Sequence, residues 1–347
     1  MFRAFLRVVL LAAMVAVPLT ARAPAVSAAV LTLDACTATA LRALIAGAVD
    51  GDVLLLPACT IPVAGAPGDD ANLSGDFDIT TSITLQGVGP DATILDGGGL
   101  DRVLDIRPGA TVTLADLTVR NGAAQADNGG GVRNAGTATL TGVVVTRNSS
   151  PLRGGGIFNT GSLSISRSEV SRNSSVDDGG GIENDGGTAA TVVDNCRIVR
   201  NSTGGDGGGI DNRGGGSLTV RESMIADNIA TARGGGLENQ GNSALLVERS
   251  AVSGNRAGDA GGGVRNADNS SARVLNTTLA YNVSRAGGAG ISQGAGTVEL
   301  VNSTVARNAD ASSSATEAGG ISKTSGILRV RNSVVAQNTV GSGTPEA

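Results

Sequence analysis

Gly129-Gly130-Gly131-Val132-Arg133-Asn134 and Val145-Thr146-Arg147-Asn148 are the two phrases whose repetition decides the fold. The first recurs as Gly154-Gly155-Gly156-Ile157-Phe158-Asn159 and again ending at Asn184, Asn212, Asn239 and Asn266. Degenerate copies follow at Gly290-Ile291-Ser292-Gln293 and Gly320-Ile321-Ser322-Lys323. The second, apolar-x-x-Asn, ends at Asn148, Asn173, Asn201, Asn228, Asn255, Asn282, Asn308 and Asn338, with Asn121 opening the column. Both markers keep a spacing of 25 to 30 residues. Two independent markers on one period identify a tandem repeat.

Between the markers the residues alternate. In Gly161-Ser162-Leu163-Ser164-Ile165-Ser166 and Ser168-Glu169-Val170-Ser171, apolar residues fall at every second position. That is the strand period, and helical spacing is absent. Each repeat therefore holds about three short strands. One inward face per strand cannot bury itself, so stacking into a solenoid follows. The expected fold is all-β: a right-handed parallel β-helix of about nine marked coils, with a short N-terminal capping helix. Ile157, Leu163, Ile165 and Val170 are expected inside, each above its equivalent at roughly 4.8 Å. The Gly runs give tight corners. The turn Asn residues are placed to bond their equivalents one coil away, satisfying buried backbone groups. No Lys-Ser/Thr follows the Gly runs, so they are not phosphate loops.

Composition agrees. The chain has 347 residues with 53 Gly, one Tyr, four Phe, no Trp and no His. A core so poor in aromatics must be thin. Without His, neither a Cys-His nor a Ser-His nucleophile can be assembled. The net charge of −5 disfavours nucleic acid as a partner.

The ends differ from the middle. Arg3 and Arg7, the apolar run from Val8 to Val17, and Val26-Ser27-Ala28 read as a secretory signal peptide over residues 1–28. No later run is long enough to span a bilayer, so no transmembrane segment is expected in the mature chain. Residues 29–60 read as an N-terminal cap. Leu41, Leu44, Ile45 and Ala48 place a short amphipathic helix over Thr39–Val49. Residues 61–128 read as irregular first coils; strands are expected at Leu54–Leu56, just before them, and at Ile79–Leu85, Thr93–Asp96, Val103–Ile106 and Val112–Leu114. The regular coils occupy 129–340, and 341–347 reads as a disordered tail. No cap is visible after Asn338, so the expectation is either end-to-end self-association through the last coil or an incomplete product. Export favours disulfides. Cys36 and Cys59 can close one loop, contributing about 3 kcal/mol. Cys196 occupies a slot filled by Ser in other repeats, such as Ser168, Ser223, Ser250 and Ser303, and reads as a small buried residue.

The paired repeats resemble the GGAI and FxxN repeats of polymorphic outer membrane proteins, with Val, Ile or Leu in place of Phe. Cys36-Thr37-Ala38-Thr39-Ala40-Leu41-Arg42-Ala43-Leu44-Ile45 resembles the cap box of CSLREAI-type secreted proteins, with Ala43 where that box has Glu and the Cys displaced. Gly75-Asp76-Phe77-Asp78-Ile79, Gly87-Val88-Gly89 and Ile94-Leu95-Asp96-Gly97 are similar to the same family. The resemblance implies a pectin-lyase-like β-helix, secreted or at a bacterial cell surface.

Function in a solenoid should show as an anomaly in a column. The residue between the apolar position and Asn is expected to point outward: Arg133, Phe158, Glu183, Asp211, Glu238, Arg265. Glu183, Asp211 and Glu238 stand in successive coils. Stacked like charges need neutralisation, and a Ca²⁺ ion is one physical answer; three solvated carboxylates is the other. Pectate lyases resemble the metal arrangement, and Arg265 or Arg133 would then take the place of their catalytic base. A second column, Arg120, Arg147, Arg172 and Arg200, reads either as a contact for an acidic glycan or cell-surface ligand, or as Arg stems covering a sheet edge. A third, Asp127, Arg153, Asp178, Asp206, Arg233, Asp259, Arg285 and Glu317, nearly alternates in sign and reads as a register device. Two functions follow as expectations. One is a non-enzymatic exported β-helix presenting a surface for adhesion or for glycan and cell-envelope contact. The alternative is a Ca²⁺-dependent, pectate-type polysaccharide lyase.

Overall fold

Strands of two to five residues are too short to hold a core alone, so each coil lends its inward face to the next. The computed structural model describes residues 28–68, 71–312 and 318–341. Glu317 and the expected signal peptide and C-terminal tail lie outside the described residues, apart from Ala28 and Gly341. The chain forms a parallel β-helix. Each regular coil runs through four ladders, called sheets 1 to 4 in chain order. Ser162–Ser166 lies in sheet 1, Glu169–Ser171 in sheet 2, Ser174–Ser175 in sheet 3 and Ile182–Asp185 in sheet 4. Among the described residues these sheets have twelve, eleven, eight and ten strands. Every coil pairs in parallel with its neighbours, residue on equivalent residue, as in Ile157↔Ile182 and Ile165↔Val193.

Two expectations are extended and one is corrected. Sheet 3, with two residues per coil, adds a fourth strand to the expected three. The irregular first coils join the same ladders, so the helix exceeds nine turns. The expected strand Ile79–Leu85 is two strands, Phe77–Ile79 and Thr84–Gln86, because the chain turns from sheet 4 to sheet 1 between them.

Ile157, Leu163, Ile165 and Val170 are buried. Two amide files run beside this core. Asn148 Nδ2 donates to Asn173 Oδ1 at 3.0 Å, and the relay continues through Asn201, Asn228, Asn255, Asn282 and Asn308 to Asn338. A second relay runs Asn134, Asn159, Asn184, Asn212, Asn239, Asn266, Gln293. The same side chains also take up backbone groups, as where Asn201 Nδ2 donates to the Val170 carbonyl at 3.0 Å. The turn Asn residues are thereby buried with their amides hydrogen-bonded.

The N-terminal end is closed by the helix Ala38–Gly47, capped by the Thr37 hydroxyl, which accepts from Ala40 N. Leu41 and Ile45 cover the first coil, and the Cys36–Cys59 disulfide ties the cap down. Cys196 is buried in the Ser column: its backbone N donates to Ser223 Oγ at 3.0 Å. At the other end of the described chain, Ile327, Val334 and Val335 are exposed. No described helix is long and apolar enough to cross a membrane.

Candidate functional site

Two faces carry the charged columns, and the fold treats them in opposite ways.

The first lies on the outer side of sheet 4. Ile182, Glu183 and Asn184 are consecutive in one strand, so Glu183 faces away from the core, yet it is fully buried. The Gly turn preceding each sheet 4 strand folds back over that face. Gly179 has a φ of +63°, and a Cβ placed on it would lie 2.8 Å from Glu183 Cβ. Gly207 covers Asp211 and Gly234 covers Glu238 in the same way. The outward, solvated column expected here is instead sealed: Glu183, Asp211 and Glu238 are each 0 % exposed. Gly is required because any side chain at this corner would strike the residue it covers.

The turns also carry the sign-alternating column, so both columns meet in one charged file. Arg213 is its hub. It pairs with Asp178, lies 3.7 Å from Asp211 and has Nε 4.0 Å from Glu183. Arg265 pairs with Glu238. Arg233 is 3.5 Å from Asp206, and Arg153 is 2.9 Å from Asp185. Gln240 Nε2 adds two bonds to the Asp211 carboxylate at 3.3 Å. Neither Glu183 oxygen has a hydrogen-bond partner.

Burial pushes the Glu183 carboxyl well above its ordinary range, and the adjacent Asp211 adds to the rise. Burial does the same to Asp211, with Glu238 and Asp178 adding to it and Arg213 opposing. Burial pushes Glu238 up to about 7 against the pull of Arg265. Taking carboxylates out of water favours their neutral form, and too few guanidinium groups reach them to restore the charge.

Glu183, Asp211 and Glu238 do not converge on a point. Among the described residues, the only three carboxylates whose oxygens all lie within 4.8 Å of one another are Asp76, Asp78 and Asp105. That group already holds arginines: Arg102 is 2.8 Å from Asp76, and Arg107 is 2.8 Å from Asp105. Arg133 sits at its edge, 3.0 Å from Asp127 and 3.5 Å from Asp105. Both arginines proposed as lyase bases, Arg133 and Arg265, are thus engaged by carboxylates.

The second face is open. Between sheets 1 and 2 the chain turns through single residues of positive φ, including Asp116, Arg167, Asn195, Glu222, Arg249 and Asn276. Between sheets 2 and 3 it turns through Asn121, Arg147, Arg172, Arg200 and Asp227. These turn residues flank the outer face of sheet 2, whose outward positions carry Val144 and Glu169, half-buried, and Arg197 and Met224, exposed. A shallow groove of about 930 Å³ runs along the sheet 1 to sheet 2 side. Its walls draw on turns from Asp116 to Asn276, a span of about 29 Å at the coil repeat.

Arg147 and Arg172 stack as expected, one coil apart and exposed. Arg200 follows, with Asp227 4.0 Å away. Arg120 departs from the column. It pairs in register with Thr146, and the turn position equivalent to Arg147 belongs to Asn121. Gly122 then takes the ladder slot, where its N–H donates to Asn148 Oδ1 at 2.8 Å. The one-residue shift lets Arg120 reach Asp96 at 2.7 Å. Reading the sequence missed Arg167, which faces the stripe across sheet 2, and Arg213. Both have a signal in the repeat: Arg167 precedes the buried Ser slot, and Arg213 follows a ladder Asn. Farther along the groove Arg197 meets Glu169 at 3.4 Å and Arg249 meets Glu222 at 3.1 Å. Arg147, Arg167 and Arg172 make no ion pair or side-chain hydrogen bond with any described residue.

No family model and no curated protein matches the chain. Among solved structures the pectate lyase Pel9A is similar, with a TM-score of 0.50, 14% identity, and coverage of 93% of this chain and 80% of that one. The Azotobacter vinelandii mannuronan C-5 epimerase AlgE6 A-module gives a TM-score of 0.34 at 14% identity, covering 88% and 95%. The first likeness places this chain in the pectate lyase type of parallel β-helix.

Proposed function

We propose that this protein is an exported β-helix that holds an acidic glycan along the outer face of sheet 2. The observation that carries the reading is the trio Arg147, Arg167 and Arg172. They stand on both edges of one sheet, three exposed guanidinium groups without carboxylate partners, in a chain whose other arginines are largely paired. Guanidinium groups fit carboxylate and sulfate, and a groove with a regular repeat fits an extended polymer. Arg147 follows the strand Val144–Thr146, and Arg167 and Arg172 flank the next, Glu169–Ser171, so carboxylates of the polymer can meet arginines in two successive coils. The repeat similarity to polymorphic outer membrane and CSLREAI-type proteins agrees with a cell-surface location, and the pectate lyase neighbour agrees with an acidic polysaccharide as ligand.

A pectate-type lyase using Ca²⁺ at Glu183, Asp211 and Glu238 is the alternative. It would require a substrate to reach carboxylates that the Gly turns cover. The test is affinity electrophoresis through polygalacturonate and through neutral dextran, with unsaturated-product absorbance followed with Ca²⁺ and with chelator. Retardation by polygalacturonate alone, weakened by salt and lost in the Arg147→Ala/Arg167→Ala/Arg172→Ala variant, is the expected result. Undiminished retardation of that variant overturns the reading, and Ca²⁺-dependent absorbance favours the lyase.

A further inference from the structure

The turns between sheets 2 and 3 form a file along the helix, and two adjacent members break its pattern. In successive coils the file runs Arg172, Arg200, Asp227, Gly254, Tyr281, Arg307, every one at positive φ. From Asn121 to Gln337, Gly254 is the one glycine in this file and Tyr281 the one aromatic. Tyr281 is also the only tyrosine in a chain without Trp. A left-handed turn suits Gly, Asn and Asp and is costly for a bulky side chain. The fold does not require Tyr at a φ of +59°, because the other turns of the file form without an aromatic.

Tyr281 is held as a wall. Arg307, one coil on, lies over its ring with Cζ 5.7 Å from the centroid, and Arg307 Nη1 donates to the Tyr281 hydroxyl. Arg307 Nε donates to Gln337 Oε1 at 2.9 Å, which fixes the guanidinium in turn. The opposite face of the ring looks back toward Gly254, because Ser253 and Ala280 are in register and the two turn residues follow them. Gly254 has no side chain to cover that face, and Tyr281 is 37% exposed. Beyond Gly254, Asp227 leans in: a Cβ placed on Gly254 would lie 2.6 Å from Asp227 Oδ1. The other oxygen, Oδ2, is 4.0 Å from Arg200 Nε. Asp227 and Tyr281 stand two coils apart, about 9.6 Å at the coil spacing. Toward sheet 2 the neighbours are the small residues Ser253 and Ala280. The result is a slot one coil wide, with an aromatic wall, a glycine floor and a carboxylate wall.

These walls select the ligand. A ring of aliphatic C–H groups packs on an aromatic face at about 3.5–4.0 Å, and hydroxyls at its rim can donate to a carboxylate. A pyranose has both. Asp227 opposes a uronate inside the slot, and Arg200 and Arg307 on either side oppose a cationic amino sugar.

We propose that this slot binds an uncharged pyranose, its C–H face on Tyr281 and its hydroxyls donating to Asp227. The slot is separate from Arg147, Arg167 and Arg172 and does not rest on the acidic-glycan reading. Tyr281 is its own reporter, since tyrosine emission from this chain comes from this residue alone. The experiment titrates the full chain with cellopentaose, β-1,4-galactopentaose and β-1,4-mannopentaose. Tyrosine emission and saturation-transfer NMR with irradiation of the aromatic protons are both read. Gly254→Asn fills the slot and keeps Tyr281, and Asn121 shows that Asn suits a turn of this file. Tyr281→Asn removes the wall. Circular dichroism reports that each variant is folded. Wild type is expected to respond saturably to at least one of the three sugars, with Gly254→Asn about tenfold weaker and saturation transfer lost in Tyr281→Asn. Absence of both signals for all three sugars, or undiminished binding by Gly254→Asn, overturns the proposal. Tighter binding of trigalacturonate or of a glucosamine trimer overturns it in favour of a charged ligand. Polygalacturonate retardation tests the arginines and leaves these outcomes unchanged.

Discussion

The sealed file outside sheet 4 and the open groove outside sheet 2 are built from the same residue types, yet they have opposite uses. In the file, Gly179, Gly207 and Gly234 lay the backbone over Glu183, Asp211 and Glu238, and arginines are drawn in as counter-charges. Along sheet 2, the turns are single residues of positive φ; Arg167 lines the groove on one edge, Arg147 and Arg172 stand on the other, and all three are exposed. Charge in a repeat marks function only where the adjacent turn leaves it open. Where the turn closes, the same charge becomes part of the interior.

The largest effect should come from the hub of the file. Arg213→Met removes the counter-charge of Asp178, Glu183 and Asp211 together and should cost about 3–5 kcal/mol in urea denaturation. A loss no larger than that of an exposed arginine would mean the file is not sealed. Gly179→Ala tests the lid itself. Its methyl would meet Glu183 Cβ in a left-handed turn, and a loss of about 1–3 kcal/mol is expected from the same measurement.

The file should also titrate. Glu238 is pushed up to about 7 in the folded chain from 4.5 when free. Between those values the folded state binds a proton that the unfolded state lacks, so stability falls as pH rises from about 4.5 to about 7. Glu183 and Asp211 shift in the same direction and extend the fall to higher pH. Thermal unfolding across this range should show it, and Glu183→Gln should shallow the slope and raise the melting temperature above neutrality. A melting temperature flat across this range would show these carboxylates to be solvated, and one that climbs with pH would show them held as ion-paired charges. Least affected in stability should be Arg147→Ala/Arg167→Ala/Arg172→Ala, within about 0.5 kcal/mol, because exposed and unpaired side chains contribute little to the fold.

Much of this was legible in the sequence. The Gly and Asn phrases give the coil, the two amide relays and the slot of Cys196. The amphipathic spacing of Leu41 and Ile45 gives the cap. Periodicity says only that Glu183 faces away from the core; it does not say that the preceding turn will cover it. That depends on the positive φ of Gly179, a tertiary property that a run of three Gly permits without dictating. Arg120 was misplaced for a related reason. The apolar-x-x-Asn phrase tolerates a one-residue slip where Asn121 takes the turn and Gly122 the ladder slot. Arg167 was overlooked because its turn position holds Asp, Gly, Arg, Asn and Glu in different coils, so no residue type marks it. The Thr and Ser residues of sheet 1 were visible as alternation, yet their alignment from coil to coil needed the register.

Arginine-selective labelling with phenylglyoxal, read residue by residue by mass spectrometry with and without polygalacturonate, tests the division between the two faces most directly. Arg147, Arg167 and Arg172 should react in the free protein and be shielded by the polymer, while Arg213 stays unreactive in both. Shielding confined to Arg153, Arg213 and Arg265, with Arg147, Arg167 and Arg172 labelled equally in both samples, would contradict the account.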